Sequence, residues 1–203
     1  MMRILNLSIN SSDPRSMEAP LLSFADKEGI PITIDCFTAN ECDDDPLRYR
    51  DLVESTKLAD LIIIRCMTDP TRFKRFDMYE SVLKGVDGYV FIHSGNSDVR
   101  FMYRDLFKGT DEEFITLSRY VGYRGEENDI GIAYWLNSKL GGSLPVPEPV
   151  VQRTDGIYHP RFDRDVSLND YLKTIDPSKP TVGILFVASY WIYRNTKHID
   201  HLI

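Results

Sequence analysis

Four short apolar runs, each joined to the next by an amphipathic segment, set the tightest limit on how this chain folds. Residues 3–9 read as a strand with Leu5, Leu7 and Ile9 on one face, and residues 30–37 set Ile30, Ile32, Ile34 and Cys36 at alternate positions. Residues 61–67 follow as a third strand. Residues 88–94, GYVFIHS, form a fourth, buried one. Between them, residues 16–28, 45–60 and 71–84 carry helical spacing, the second with Leu47, Leu52, Val53 and Leu58 as its apolar set. The order βαβαβαβ places the region in the α/β class.

The expected architecture is a mainly parallel open sheet with flanking helices, of the flavodoxin/Rossmann-like kind, followed by a helical and linker segment leading to a further βα unit. After Gly95 the pattern changes: residues 97–107, 110–123 and 126–140 read as three successive helices. A Pro- and Gly-rich tract then precedes a short helix at 168–175, and tracts of this length more often join domains than lie within one. Three parts are therefore expected: an α/β domain over 1–142, a linker over 143–179, and residues 180–203. Within the last part, Val182, Ile184, Leu185, Phe186 and Val187 read as a strand buried on both faces, and Ile192, Ile199, Leu202 and Ile203 as the stripe of a helix. This piece either opens a following domain or adds a fifth strand to the first sheet.

With 203 residues, 42% hydrophobic and 27% charged, the chain is rich enough in apolar residues to build a core. A formal charge of −7 argues against a nucleic-acid or anionic-membrane surface as the main partner. The apolar runs fall far short of the ~20 residues that cross a bilayer. The N-terminus also lacks a signal-peptide core, so the reading is a cytoplasmic protein without a membrane span. Cys36, Cys42 and Cys66 lack metal-ligand or CxxC spacing and are expected to be buried, reduced thiols.

In an open parallel sheet, ligands collect beyond the carboxyl ends of the strands, and the loops there read INSSDPRS, CMTDPTRF and HSGNSD. Their hydroxyl and carboxylate residues (Ser12 or Asp13, Thr68 or Asp69, Ser97 or Asp98) also serve as helix N-caps. Dinucleotide, Walker and nucleophile-elbow motifs are missing, and the first loop lacks the glycine of a flavin phosphate loop. His93 and Ser94, at the end of the fourth strand, are candidate ligand contacts. His198 and His201 lack a third metal ligand, and Glu41, Asp43, Asp44 and Asp45 read as solvated capping residues ahead of Pro46. No catalytic or metal-ligating set emerges.

The second half carries a family resemblance. YVGYRGEENDIGIAYWL, with Gly125, Glu127 and Asn128, resembles a segment of the large subunits of cobaltochelatase and magnesium chelatase, Arg124 standing where that family has a glycine. GIYHP with SLNDYL, and PTVGILF followed by Asn195, Thr196, Asp200, Leu202 and Ile203, are similar to later stretches of the same family in the same order. The resemblance to the CobN/magnesium chelatase family spans about residues 120–203. It implies the amino-terminal part of a larger tetrapyrrole-binding subunit that inserts cobalt or magnesium, with ATP and Mg used on AAA+ partner subunits. No cofactor is then expected on this stretch, catalysis lies elsewhere, and His159 and Asn195 become candidate ligand contacts. The alternative is a stand-alone flavodoxin-like module that binds a small anion or a protein partner.

Overall fold

A computed structural model of the chain describes residues 1–9, 14–153, 155–162, 166–192 and 196–202. They form two compact units, Met1–Val150 and Val151–Ile203. The first is built on a four-stranded sheet of β1 (Met2–Ile9), β2 (Ile32–Thr38), β3 (Leu61–Cys66) and β4 (Tyr89–Ser94). All pairings are parallel and the strand order is β2-β1-β3-β4, the expected α/β architecture.

Position in the sheet explains the sequence of each strand. Every residue of β3 is buried, and only Arg3 of β1 is not, because these two strands have neighbours on both sides and helices on both faces. At the edge, β2 alternates, with Thr33 and Asp35 exposed. Met2, Ile4, Ile32, Leu61, Ile63 and Phe91 form one core with α1 (Glu18–Glu28), α6 (Asp111–Tyr123) and α7 (Glu126–Lys139). Leu5, Leu7, Ile62, Ile64, Val90 and Ile92 face the other way, against α2 (Ala39–Asp44), α3 (Pro46–Leu58) and α4 (Phe76–Leu83).

Local chemistry moves several boundaries. The helix over 45–60 turns on Leu52 and Thr56, both fully buried, whereas Leu47 and Leu58 are 59% and 60% exposed. They stand five and six positions from Leu52, which at about 100° per residue carries them off its stripe. The Thr56 hydroxyl bonds the Leu52 carbonyl at 2.6 Å and shares a hydrogen bond of 2.7 Å with Tyr79 Oη. The helix α2 escapes hydrophobic periodicity but has a capping box, Thr38 and Glu41, at its start. The helix expected over 97–107 is broken into α5 (Ser97–Met102) and a 3-10 turn, Arg104–Leu106. Arg104 stabilises that break by donating to the carbonyls of Phe107 and Gly109 and pairing with Asp111.

In the second unit the expected closing strand is not formed. Among the described residues, 180–187 join no ladder, and Val182, Leu185 and Val187 are 85%, 100% and 66% exposed. A strand buried on both faces needs paired neighbours and two covering layers. The described elements of this unit are one antiparallel bridge, Ile157 with Val166, and the short helices α8 (Leu168–Leu172), α9 (Ala188–Ile192) and α10 (Lys197–Asp200). A fifth strand is likewise absent from the described residues of the first sheet. Of the expected terminal stripe, Ile192 and Ile199 are buried, Leu202 is exposed, and Ile203 lies outside the described residues. Tyr158 Oη bonds Thr196 and Asp200, fastening the bridge region to α10. No helix among the described residues is long and apolar enough to cross a membrane.

Helices α6 and α7 meet where Gly131 faces Tyr120: a Cβ at 131 would lie 2.3 Å from Tyr120 Cε1. Replacing a helix-interior glycine by alanine ordinarily gains up to about 1 kcal/mol. Here the sign reverses, and Gly131→Ala lowers stability by roughly 1–3 kcal/mol as Tyr120 is displaced, read as an earlier urea midpoint with unchanged slope.

Candidate functional site

The winding of the sheet reverses between β1 and β3, and the carboxyl end of that junction is where an open α/β sheet offers a crevice. The register sets a row across all four strands there: Thr38 beside Ser8, Ser8 beside Arg65, Arg65 beside His93. Alternate residues of a strand share a face, so this row continues the face whose deeper positions are Ile4, Leu61, Ile63 and Phe91. One side of the sheet is thus apolar for most of its length and polar at its carboxyl end, beneath α6 and α7.

Buried hydrogen bonds hold this end together. Asn6, fully buried, donates from Nδ2 to the Pro14 carbonyl at 2.7 Å and accepts from Arg65 Nε at 3.3 Å. Cys36 Sγ reaches the same carbonyl at 3.2 Å. Asp129, in the first turn of α7, is 3% exposed. Burial pushes its carboxyl up to about 7, against the pull of Arg65 and with the help of Glu126 and Glu127. The imidazole of His93 moves the other way, down to about 4, through burial and then the charges of Arg100, Arg124 and Arg65. A cleft of about 400 Å³ lies alongside, lined by Arg100, Phe101, Phe114, Ile115, Arg119, Gly122 and Tyr123. Its Gly122 stands over His93, so that a Cβ there would lie 3.5 Å from His93 Cε1.

The four candidate contacts separate. His93 belongs to the polar row. Its neighbour Ser94 faces the opposite side, where its hydroxyl donates to the Thr68 carbonyl at 2.6 Å and accepts from Asn96 N–H at 3.0 Å, joining the loops after β3 and β4. His159 lies in the second unit, its Nδ1 accepting from Arg161 N–H at 3.1 Å and its ring packed near Phe162 and Tyr171. Asn195 lies outside the described residues. Asn6, Arg65, Arg100, Arg124 and Asp129 are the site residues that motif reading missed. The available signal was a charged residue, Arg65, inside the otherwise apolar run LIIIRC.

Other polar candidates are structural. Asp45 caps α3 and Asp69 caps the turn at Pro70, while Asn96, not Ser97 or Asp98, caps α5. Ser12 and Asp13 lie outside the described residues. Burial pushes the Cys42 thiol up to about 12 and that of Cys66 up to about 11. Among the described residues, no group of three His, Cys, Asp or Glu side chains could hold a metal ion.

The segment GYRGEEN acts as a clamp. Asn128 is fully buried; its Nδ2 donates to the carbonyls of Arg124 at 2.6 Å and Val150 at 2.7 Å, and its Oδ1 accepts from Val150 N–H at 2.9 Å. Tyr120 Oη donates to the Pro147 carbonyl. Together they pin the proline-rich tract onto α6 and α7, giving that irregular backbone the partners a ladder would otherwise supply.

Residues 118–203 match the CobN/Magnesium Chelatase family, which bears out the resemblance drawn from residues 120–203. Among solved structures, the catalytic subunit of cobaltochelatase from Mycobacterium tuberculosis is similar in fold, with a TM-score of 0.50 and 16% sequence identity. The likeness covers 78% of this chain, which spans 12% of the length of that subunit. No curated protein matches the chain.

Two measurements follow from the site. Because the folded pKa of His93 is depressed, its contribution to stability is complete above about 6.5 and is lost as pH falls towards 4. The raised pKa of Asp129 acts oppositely: its contribution is complete below about 3.8 and is lost as pH rises through 7. The two slopes oppose each other between about pH 4 and 6.5, each up to roughly 1.4 kcal/mol per pH unit. Asp129→Asn therefore steepens acid destabilisation and His93→Gln flattens it, as followed by urea midpoints from pH 4 to 7. Asn128→Ala removes three hydrogen bonds at once and costs about 2–3 kcal/mol, with limited proteolysis newly cutting near Val150.

Proposed function

We propose that this chain is the amino-terminal part of the large, tetrapyrrole-binding subunit of an ATP-dependent metal chelatase, one that inserts cobalt or magnesium into a macrocycle of the cobalamin or chlorophyll type. The observation that carries this reading is the family match over residues 118–203, which includes the Asn128 clamp and the Tyr158 anchor. The fold likeness to a cobaltochelatase subunit is consistent with it. On this reading residues 143–179 are a linker, residues 180–203 open a following domain, and ATP is hydrolysed by AAA+ partner subunits.

Metal insertion requires a macrocycle held still while two pyrrole protons leave and a hydrated metal sheds water, which calls for a base and metal ligands in a sheltered cavity. We assign those groups to chain beyond these residues. This part instead shapes access to the macrocycle or docking of a partner, with His159 and Asn195 as its contacts and His93 and Ser94 at the carboxyl end of the sheet. The arginines around His93, of which Arg65 is buried, favour one further reading, a flavodoxin-like module that binds a small anion on its own account.

The test is macrocycle binding by the full-length gene product, followed by fluorescence quenching with a cobyrinic-type and a protoporphyrin-type ligand. Binding is expected, weakened by about fivefold or more in His159→Ala if a hydrogen bond to the ligand is lost. An unchanged affinity in that variant removes His159 from the site. A gene product ending at Ile203 that binds neither macrocycle overturns the chelatase reading in favour of the module.

A further inference from the structure

We propose that Arg65, Arg100, Arg124 and His93 form a binding site for an oxyanion at the carboxyl end of the sheet, taking phosphate or the carboxylate of a larger organic acid. The proposal does not depend on the chelatase reading.

Three observations meet at this place. The first is unspent hydrogen-bonding capacity. Arg65 is 9% exposed; its Nε donates to Asn6, and its Nη2 is buried with no hydrogen-bond partner among the described residues. Arg100 Nε, His93 Nδ1 and Asp129 Oδ2 are also buried with no hydrogen-bond partner among the described residues. Buried polar atoms are nearly always satisfied, so the unsatisfied nitrogens of Arg65, Arg100 and His93 mark a position where an acceptor binds. The second is charge. Three guanidiniums act on His93, whereas Asp129 faces Arg65 from α7 with Glu126 and Glu127 beside it, and its carboxyl is pushed towards neutrality. In a chain of net charge −7 this is a local inversion of sign, and guanidinium is the group best shaped for planar or tetrahedral oxyanions.

The third is backbone strain. Arg124 has φ 63° and ψ −175°, a region open in practice to glycine alone, and it is the one described non-glycine residue with positive φ. Its carbonyl is held there by Asn128 Nδ2 at 2.6 Å. A glycine would relieve the strain and forgo the guanidinium. Strained residues persist where they serve a ligand clamp, and here the strained residue brings the third positive charge to His93. The neutral imidazole can donate from Nδ1 to an anion held by the arginines.

The experiment compares thermal unfolding and calorimetric titration of the chain with inorganic phosphate, glutarate and sodium chloride at matched ionic strength. Phosphate or glutarate is expected to raise the melting temperature beyond the chloride response, and binding to be lost in Arg65→Met. A stronger phosphate effect identifies a free phosphate or phosphoryl group; a stronger glutarate effect identifies the carboxylate of an organic acid. Arg124→Gly is the second variant, because Arg65 is buried and its replacement could prevent folding. It is expected to melt higher than the parent without anion and to bind the anion roughly tenfold or more weakly, from the loss of a charged hydrogen bond. Equal responses to all three salts, or an anion response undiminished in Arg124→Gly, overturn the proposal.

Discussion

Strands β1 and β3 have no face in water, and the rest of the first unit is arranged around that constraint. Two inner strands buried on both sides require helices above and below, neighbours left and right, and side chains that shed water readily on each face. Where β1 and β3 carry Asn6, Ser8 and Arg65 instead, the sheet accepts buried polar groups that must find partners among side chains, the Pro14 carbonyl or a bound molecule. The change from apolar to polar along a single face is therefore what converts a core into a site.

The fold was legible because burial leaves its mark on composition. Runs such as LIIIRC and YVFIHS can hardly be placed except as inner or helix-covered strands, and Gly29, with φ 66°, marks the end of α1 as its position in the sequence suggests. The site was less legible. Arg65 is hidden within a run that periodicity scores as apolar, and Asp129 lies sixty-four positions away on a helix whose first turn reads as ordinary acidic capping. Their proximity comes from the layering of α7 on the sheet, which no spacing in the sequence expresses. The closing run 180–187 failed for the opposite reason: hydrophobicity supplied the tendency to be a strand but not the neighbours a strand requires.

The clamp at Asn128 gives a physical content to the family resemblance. An asparagine side chain offers one donor group and one acceptor group in nearly the geometry of a peptide, so it can pair with a backbone that has no ladder to join. Gly125, at φ 88°, opens the helix that carries it, and Tyr120 holds the same tract three residues upstream of Val150. What reads as a signature in one dimension is a fastening for the irregular stretch behind it.

Cys42 and Cys66 sit under the second helical layer, among the side chains of α2, α3 and α4, as thiols that do not ionise at neutral pH. A thiol-directed reagent therefore finds these two sulfurs unreactive on the closed molecule, whereas Cys36, expected to be buried, is only half-buried on the edge strand β2. Either sulfur becomes available only when that layer lifts away from the sheet, so the two cysteines act as native clocks for breathing of the fold.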